Sequence, residues 1–155
     1  MGGIIMNVEK IALVLLLMCI LIIPSTALTN DEETLLESKA TTVLNQEDSI
    51  SYGLVEVNSD NTMSIWYIPN GSDENTLIKS TATAVGLYIG AAKMFPEISD
   101  LNLMVGTKDN VVGKMYCERA WVDMVGENTD GSYSQDDIGM VGMKVFITFK
   151  QTNTP

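Results

Sequence analysis

The sequence predicts an α+β fold: a small two-layer domain whose mostly antiparallel sheet of about five strands is covered by one long helix. Three observations carry that expectation. Asn75 to Phe95 (NTLIKSTATAVGLYIGAAKMF) is the longest helical stretch beyond the N-terminal segment. In it Leu77, Ile78, Ala82, Val85, Ile89 and Ala92 recur at three- and four-residue spacing, the period of one apolar helix face. Strand-like runs flank the stretch on both sides, and a chain of 155 residues can build one core without metal or disulfide support.

At the N-terminus, Ile11 to Ile23 (IALVLLLMCILII) is unbroken apolar sequence, shorter than the roughly 20 residues a permanent membrane span requires. Ser25, Thr26 and Ala27 then place small residues third and first before a signal-peptidase cut ahead of Leu28. Residues 1–27 therefore read as a signal peptide of a secreted or extracytoplasmic protein. The alternative is an uncleaved membrane anchor with the domain outside. Lys10 is offset by Glu9, and initiation at Met6 would give a more compact signal. Met18 is not the small residue that precedes a lipidated cysteine, which argues against lipoprotein processing at Cys19. Cys117 is then the one cysteine of the exported chain, and no intramolecular disulfide can form.

Net charge is −11, from 20 acidic and 9 basic residues. Glu9 and Lys10 cancel, so the whole excess lies from Leu28 onward. Such a surface repels nucleic acid and anionic lipid headgroups. Membrane contact is expected only if Ile11 to Ile23 stays uncleaved.

In chain order, residues 28–49 form an acidic leader (Asp31, Glu32, Glu33 and Glu37 ahead of Lys39) with partial order at most. The domain spans 50–150 and a polar tail 151–155. Ile50 to Val57 and Met63 to Ile68 alternate as strands and join through Ser59, Asp60 and Asn61 as a β-hairpin. Pro69-Asn70-Gly71 ends the second strand; Asn70-Gly71-Ser72 also has the form of an N-glycosylation acceptor, making Asn70 a candidate site. Ser72 or Asp73 can cap the long helix, Pro96 stops it, and Gly86 and Gly90 mark close packing of its backbone, with pairing between subunits as the sharper alternative. Leu101 to Val105 and Val111 to Cys117 alternate as two further strands around a Lys108-Asp109-Asn110 turn. Residues 118–125 read as a short helix, in competition with one long strand through Val125. Gly126 to Gly142 is expected to be a long surface loop, and Met143 to Phe149 the last strand. The order from Met63 onward is that of a split βαβ unit, with Ile50 to Val57 as an added edge strand.

The chain contains no histidine, which removes the histidine base of common serine and cysteine hydrolases and histidine-containing zinc sites. Cys117 is expected to be structural. No phosphate loop or dinucleotide fingerprint is present, so no cofactor is expected beyond calcium. Its candidate ligands are the carboxylates Asp123, Glu127, Asp130, Asp136 and Asp137 around Asn128, although Asp130-Gly131-Ser132 lacks EF-hand spacing. Trp66 and Phe146 are candidate interface residues, expected to share the sheet face opposite the main helix, a face that must be polar, covered or used. The functional expectation is an exported, non-catalytic domain that binds another cell-envelope or extracellular protein or associates with itself, through that face or an edge strand. A carboxylate-based hydrolase and a purely structural envelope protein are the alternatives.

Overall fold

The computed structural model describes residues 28–152. The signal or anchor segment 1–27, Cys19 included, and residues 153–155 of the polar tail lie outside the described residues. The architecture is α+β with a five-stranded mixed sheet. In chain order the elements are α1 (Asn30–Asn45), β1 (Ile50–Val57), β2 (Met63–Pro69), α2 (Glu74–Met94), β3 (Leu101–Gly106), β4 (Val111–Cys117), α3 (Arg119–Val122), α4 (Gln135–Ile147) and β5 (Lys150–Gln151).

The sheet order is β1-β2-β3-β4-β5. β1 pairs antiparallel with β2 through a turn in which Asn61 takes a left-handed φ of 63° and the Asp60 carboxylate accepts the Thr62 N–H. β2 and β3 are parallel, while β3-β4 and β4-β5 are antiparallel. The expected split βαβ order is therefore corrected: α2 connects two strands that are direct neighbours, with nothing inserted between them. β1 is the edge strand, as expected.

Register puts Val55, Ile65, Leu103 and Met115 in one row, and Val57, Met63, Leu101 and Cys117 in the next. All eight are buried. α2 lies on this face. Its residues from Ser80 to Ala92 are buried apart from half-buried Ala82, Gly86 and Gly90 included, so those glycines serve packing within the chain and not a contact between subunits. The Tyr67 hydroxyl meets Thr81 Oγ1 at 2.6 Å, and the Tyr88 hydroxyl donates to the Ser99 carbonyl at 2.5 Å. These bonds fix the buried phenols that an apolar core would otherwise exclude.

Three other departures from the sequence reading concern helices. The segment expected to be a loosely ordered acidic leader forms α1, capped by Thr29 and Glu32 in a capping box, with Leu36, Ala40 and Leu44 in the core. The loop expected over Gly126 to Gly142 and the strand expected over Met143 to Phe149 give way to α4. Ser134 accepts the Asp137 N–H at its start, Asp136 and Asp137 fill its first turn, and Ile138, Val141 and Val145 are buried along one face. The one-helix covering layer thus becomes α2 flanked by α1 and α4. The fifth strand is the two residues of β5, so part of the presumed tail pairs with β4. Residues 118–125 follow the helix reading, in the short form of α3.

Candidate functional site

The chain itself closes the β1 edge of the sheet and covers β4, leaving the two exposed residues of β5 as the other edge. Along β1, the Asn45 side chain accepts the Gly53 N–H at 2.8 Å and donates to the Gly53 carbonyl at 2.7 Å. Thr41 accepts the Val55 N–H at 3.0 Å and Glu37 the Val57 N–H at 2.7 Å. The match is geometric: every fourth helix residue advances about 6 Å and every second strand residue about 6.6 Å, so one helix row can serve one strand edge. Along β4, Thr148 Oγ1 accepts the Tyr116 N–H, β5 pairs at Gly113 and Lys114, and Thr152 donates to the carbonyls of Val111 and Val112. The edge-strand route to a partner is therefore closed at β1.

The outer face of the sheet carries no helix among the described residues. Tyr52, Leu54, Ile68, Trp66 and Met104 occupy neighbouring positions there beside the polar Glu56, Ser64, Asn102 and Lys114; Tyr52 is exposed and the other four apolar residues are half-buried, with no described helix on them. Tyr52 is 42% exposed and meets Trp66 edge to face, with ring centroids 5.3 Å apart. The indole lies across β3 on Gly106, where an added Cβ would stand 2.3 Å from Trp66 Nε1. That N–H is buried and is the one such side-chain nitrogen or oxygen without a hydrogen-bond partner among the described residues. Tyr116, also 42% exposed, stands further along the same face and stacks obliquely on Trp121. Trp66 thus occupies the face foreseen for it. Phe146 does not: it belongs to α4 and packs against the core from the helical side, so the shared Trp66–Phe146 surface is corrected.

The acidic candidates are dispersed. Asp123 pairs with Arg119 at 3.3 Å. Glu127 bridges to Tyr133 through the backbone. Asp130 closes a turn on Ser132, whose hydroxyl and amide hold its carboxyl below the usual range. Asp136 sits in the first turn of α4, and Asp137 accepts the Gly126 N–H at 3.0 Å. Among the described residues no three cysteine or carboxylate side chains are grouped to hold a metal ion. Cys117 is fully buried, and burial, with Asp100 and Glu118 nearby, pushes its thiol up to about 12. A thiol so placed is a poor nucleophile. Asn70 is exposed, but the nitrogen a glycan would use donates to the Asp48 carbonyl at 3.0 Å, so a glycan would share or displace that bond.

A second surface was not anticipated. Met124, Met140, Met143 and Ile147 are among the most exposed large apolar side chains described, three of them on α4. Its period was readable from Ile138, Val141 and Val145, but alternation of Met143, Val145, Ile147 and Phe149 imitates a strand equally well.

The fold and these surfaces define a small α+β domain with its β1 edge closed and, among the described residues, two apolar surfaces that no element covers. No protein-family model, curated protein or solved structure matches the chain.

Proposed function

We propose that this chain is an exported, non-catalytic domain that binds another cell-envelope or extracellular protein through the outer face of its sheet. The observation that carries the reading is the uncovered apolar surface around Tyr52 and Trp66. A two-layer domain must otherwise make that face polar or cover it. The alternation of buried and accessible residues from Met63 to Ile68 and from Gly113 to Cys117 supports the two-layer arrangement. Export is supported by Ile11 to Ile23 followed by Ser25-Thr26-Ala27, and among the described residues no helix is long and apolar enough to cross a membrane. The dispersed carboxylates give no support to hydrolysis.

The test replaces Tyr52 and Tyr116 with serine, together, and captures cross-linked partners from the envelope and medium of the native host. Tyr52 and Tyr116 are better probes than Trp66 because they are more exposed and are not packed on a neighbouring strand as Trp66 is on Gly106. Loss of a captured protein is expected from a chain that still unfolds in one cooperative transition, destabilised only by the two lost ring contacts, about 0.5–1.5 kcal/mol each. Capture of the same proteins at the same yield would overturn the proposal, and extended assemblies without any ligand would favour a structural envelope role instead.

A further inference from the structure

We propose that α4 pairs antiparallel with α4 of a second copy of this chain, about a two-fold axis passing between Val141 and Gly142. Opposite its buried row, α4 presents Asp136, Met140, Met143 and Ile147, at spacings of four, three and four. Met140, Met143 and Ile147 are 55%, 70% and 82% exposed. A surface helix ordinarily places polar residues there, and alternating four-three spacing is that of a helix-helix seam.

The flanks of the seam identify its occupant. Asp137 and Lys144 lie along one side, Gly139 and Phe146 along the other. A two-fold axis perpendicular to two helices keeps each flank on its own side and reverses height, so positions equidistant from the axis meet reciprocally. About the centre between Val141 and Gly142, Met140 meets Met143 of the second copy at equal height, while Lys144 and Asp137 on one flank and Gly139 and Phe146 on the other come within about 3 Å of equal height. The Met140–Met143 pairing defines that centre, and the two flank pairs stand two residues out of register about it, in opposite senses.

The groups involved are ready for those contacts. No atom outside the immediate backbone lies within 4 Å of a Cβ built on Gly139, whereas at Gly53, Gly106 and Gly113 that position is taken by Leu44, Trp66 and Phe149. Gly139, like Gly142, thus leaves room over the helix for a side chain from outside. Lys144 has no carboxylate partner among the described residues; its Nζ rests 3.6 Å from Met124 Sδ and 5.6 Å from the Trp121 ring centroid. Asp137 engages one carboxylate oxygen with Gly126, leaving the other for a cation. A parallel pair would instead set Asp136 against Asp136 in the seam, so the charges select the antiparallel arrangement. This inference does not rest on the sheet-face reading, because α4 belongs to the helical side.

The test is sedimentation of the chain, as its host processes it, over a concentration series. A reversible monomer-dimer equilibrium is expected. Met143→Lys should weaken it at least about tenfold, the effect of losing one central apolar anchor, and Asp136→Leu should strengthen it. Both positions face solvent in the monomer, so the melting curve at low concentration should stay close to that of the parent. A Met140→Cys chain mixed with a Met143→Cys chain should cross-link to each other faster than either does to itself. A monomer at every concentration, a dimer indifferent to Met143→Lys, or fastest self-cross-linking of the Met140→Cys chain would overturn the proposal.

Discussion

Replacing Asn45 with alanine tests whether α1 is an integral seal of the sheet or an appendage resting on it. The Asn45 side chain makes two hydrogen bonds to Gly53 and a third to the Thr41 carbonyl, at 2.7 to 2.8 Å. A typical intramolecular hydrogen bond contributes about 0.5–1.5 kcal/mol net. The two bonds to Gly53 therefore predict a loss of about 2 kcal/mol, toward the lower end if water reaches the vacated edge. That is a measurable part of the roughly 5–15 kcal/mol available to a small domain. Urea unfolding followed by tryptophan fluorescence gives the free energy, and amide exchange locates it: Gly53 should lose protection while Ile65, in the sheet interior, keeps it. Leu44→Ala is the calibrating variant, since Leu44 is fully buried against Gly53 and should cost about 3 kcal/mol or more. An Asn45→Ala chain within about 0.5 kcal/mol of the parent, the scatter of ordinary surface substitutions, with Gly53 still protected, would refute the seal.

Two further predictions concern the sheet. Gly106→Ala should destabilise by about 1–3 kcal/mol through overpacking, because the new methyl would lie 2.3 Å from Trp66 Nε1 and 3.0 Å from the Asn110 carbonyl; unchanged stability and near-ultraviolet dichroism would mean the indole is not held on β3. Alkaline pH should destabilise the fold, because Cys117 and Tyr67 ionise near 9.0 and 10.0 when unfolded but are pushed up to about 12 by burial when folded. The unfolded chain then binds fewer protons across that window, so stability falls as pH rises, by up to about 1.4 kcal/mol per pH unit for each group. The paired variant Cys117→Ala, Tyr67→Phe should flatten the decline; an identical slope would assign it to other groups.

What the sequence made legible follows from how many residues constrained each element. β2, β3 and β4 read correctly because alternation of apolar residues records a sheet with one buried face, and α2 because its apolar residues and its Asp73 and Pro96 boundaries agree. α1 was obscured because it meets the sheet edge through Glu37, Thr41 and Asn45, polar residues that periodicity scores as solvent-facing. α4 was obscured for the opposite reason. Its outward methionines erase the polar face that would reveal a helix, and Gly139 and Gly142 weaken its propensity. The signals that could have recovered it were Ser134, Asp136 and Asp137 at its start. Trp66 was placed on the correct face by alternation alone, while Phe146 inherited the wrong element and so the wrong face.

A sheet edge occupied by the chain's own helix cannot readily recruit a partner as an added strand. At β1 the alternate N–H groups that an incoming strand would use are held by Asn45, Thr41 and Glu37. Displacing them would also withdraw Leu36, Ala40 and Leu44 from the core. Under the proposed binding role association falls to faces, and the two left uncovered among the described residues lie on opposite layers. Occupying the sheet face leaves the seam of α4 free, and pairing through α4 leaves the sheet face free. A dimer joined by α4 would carry two copies of the Tyr52 and Trp66 surface in fixed relation. Against a partner repeated along an envelope, that geometry would raise avidity without any added contact at the sheet. The acidic surface would then act against nonspecific clustering, because the net charge of −11 opposes every close approach that lacks the matched flanks of the seam.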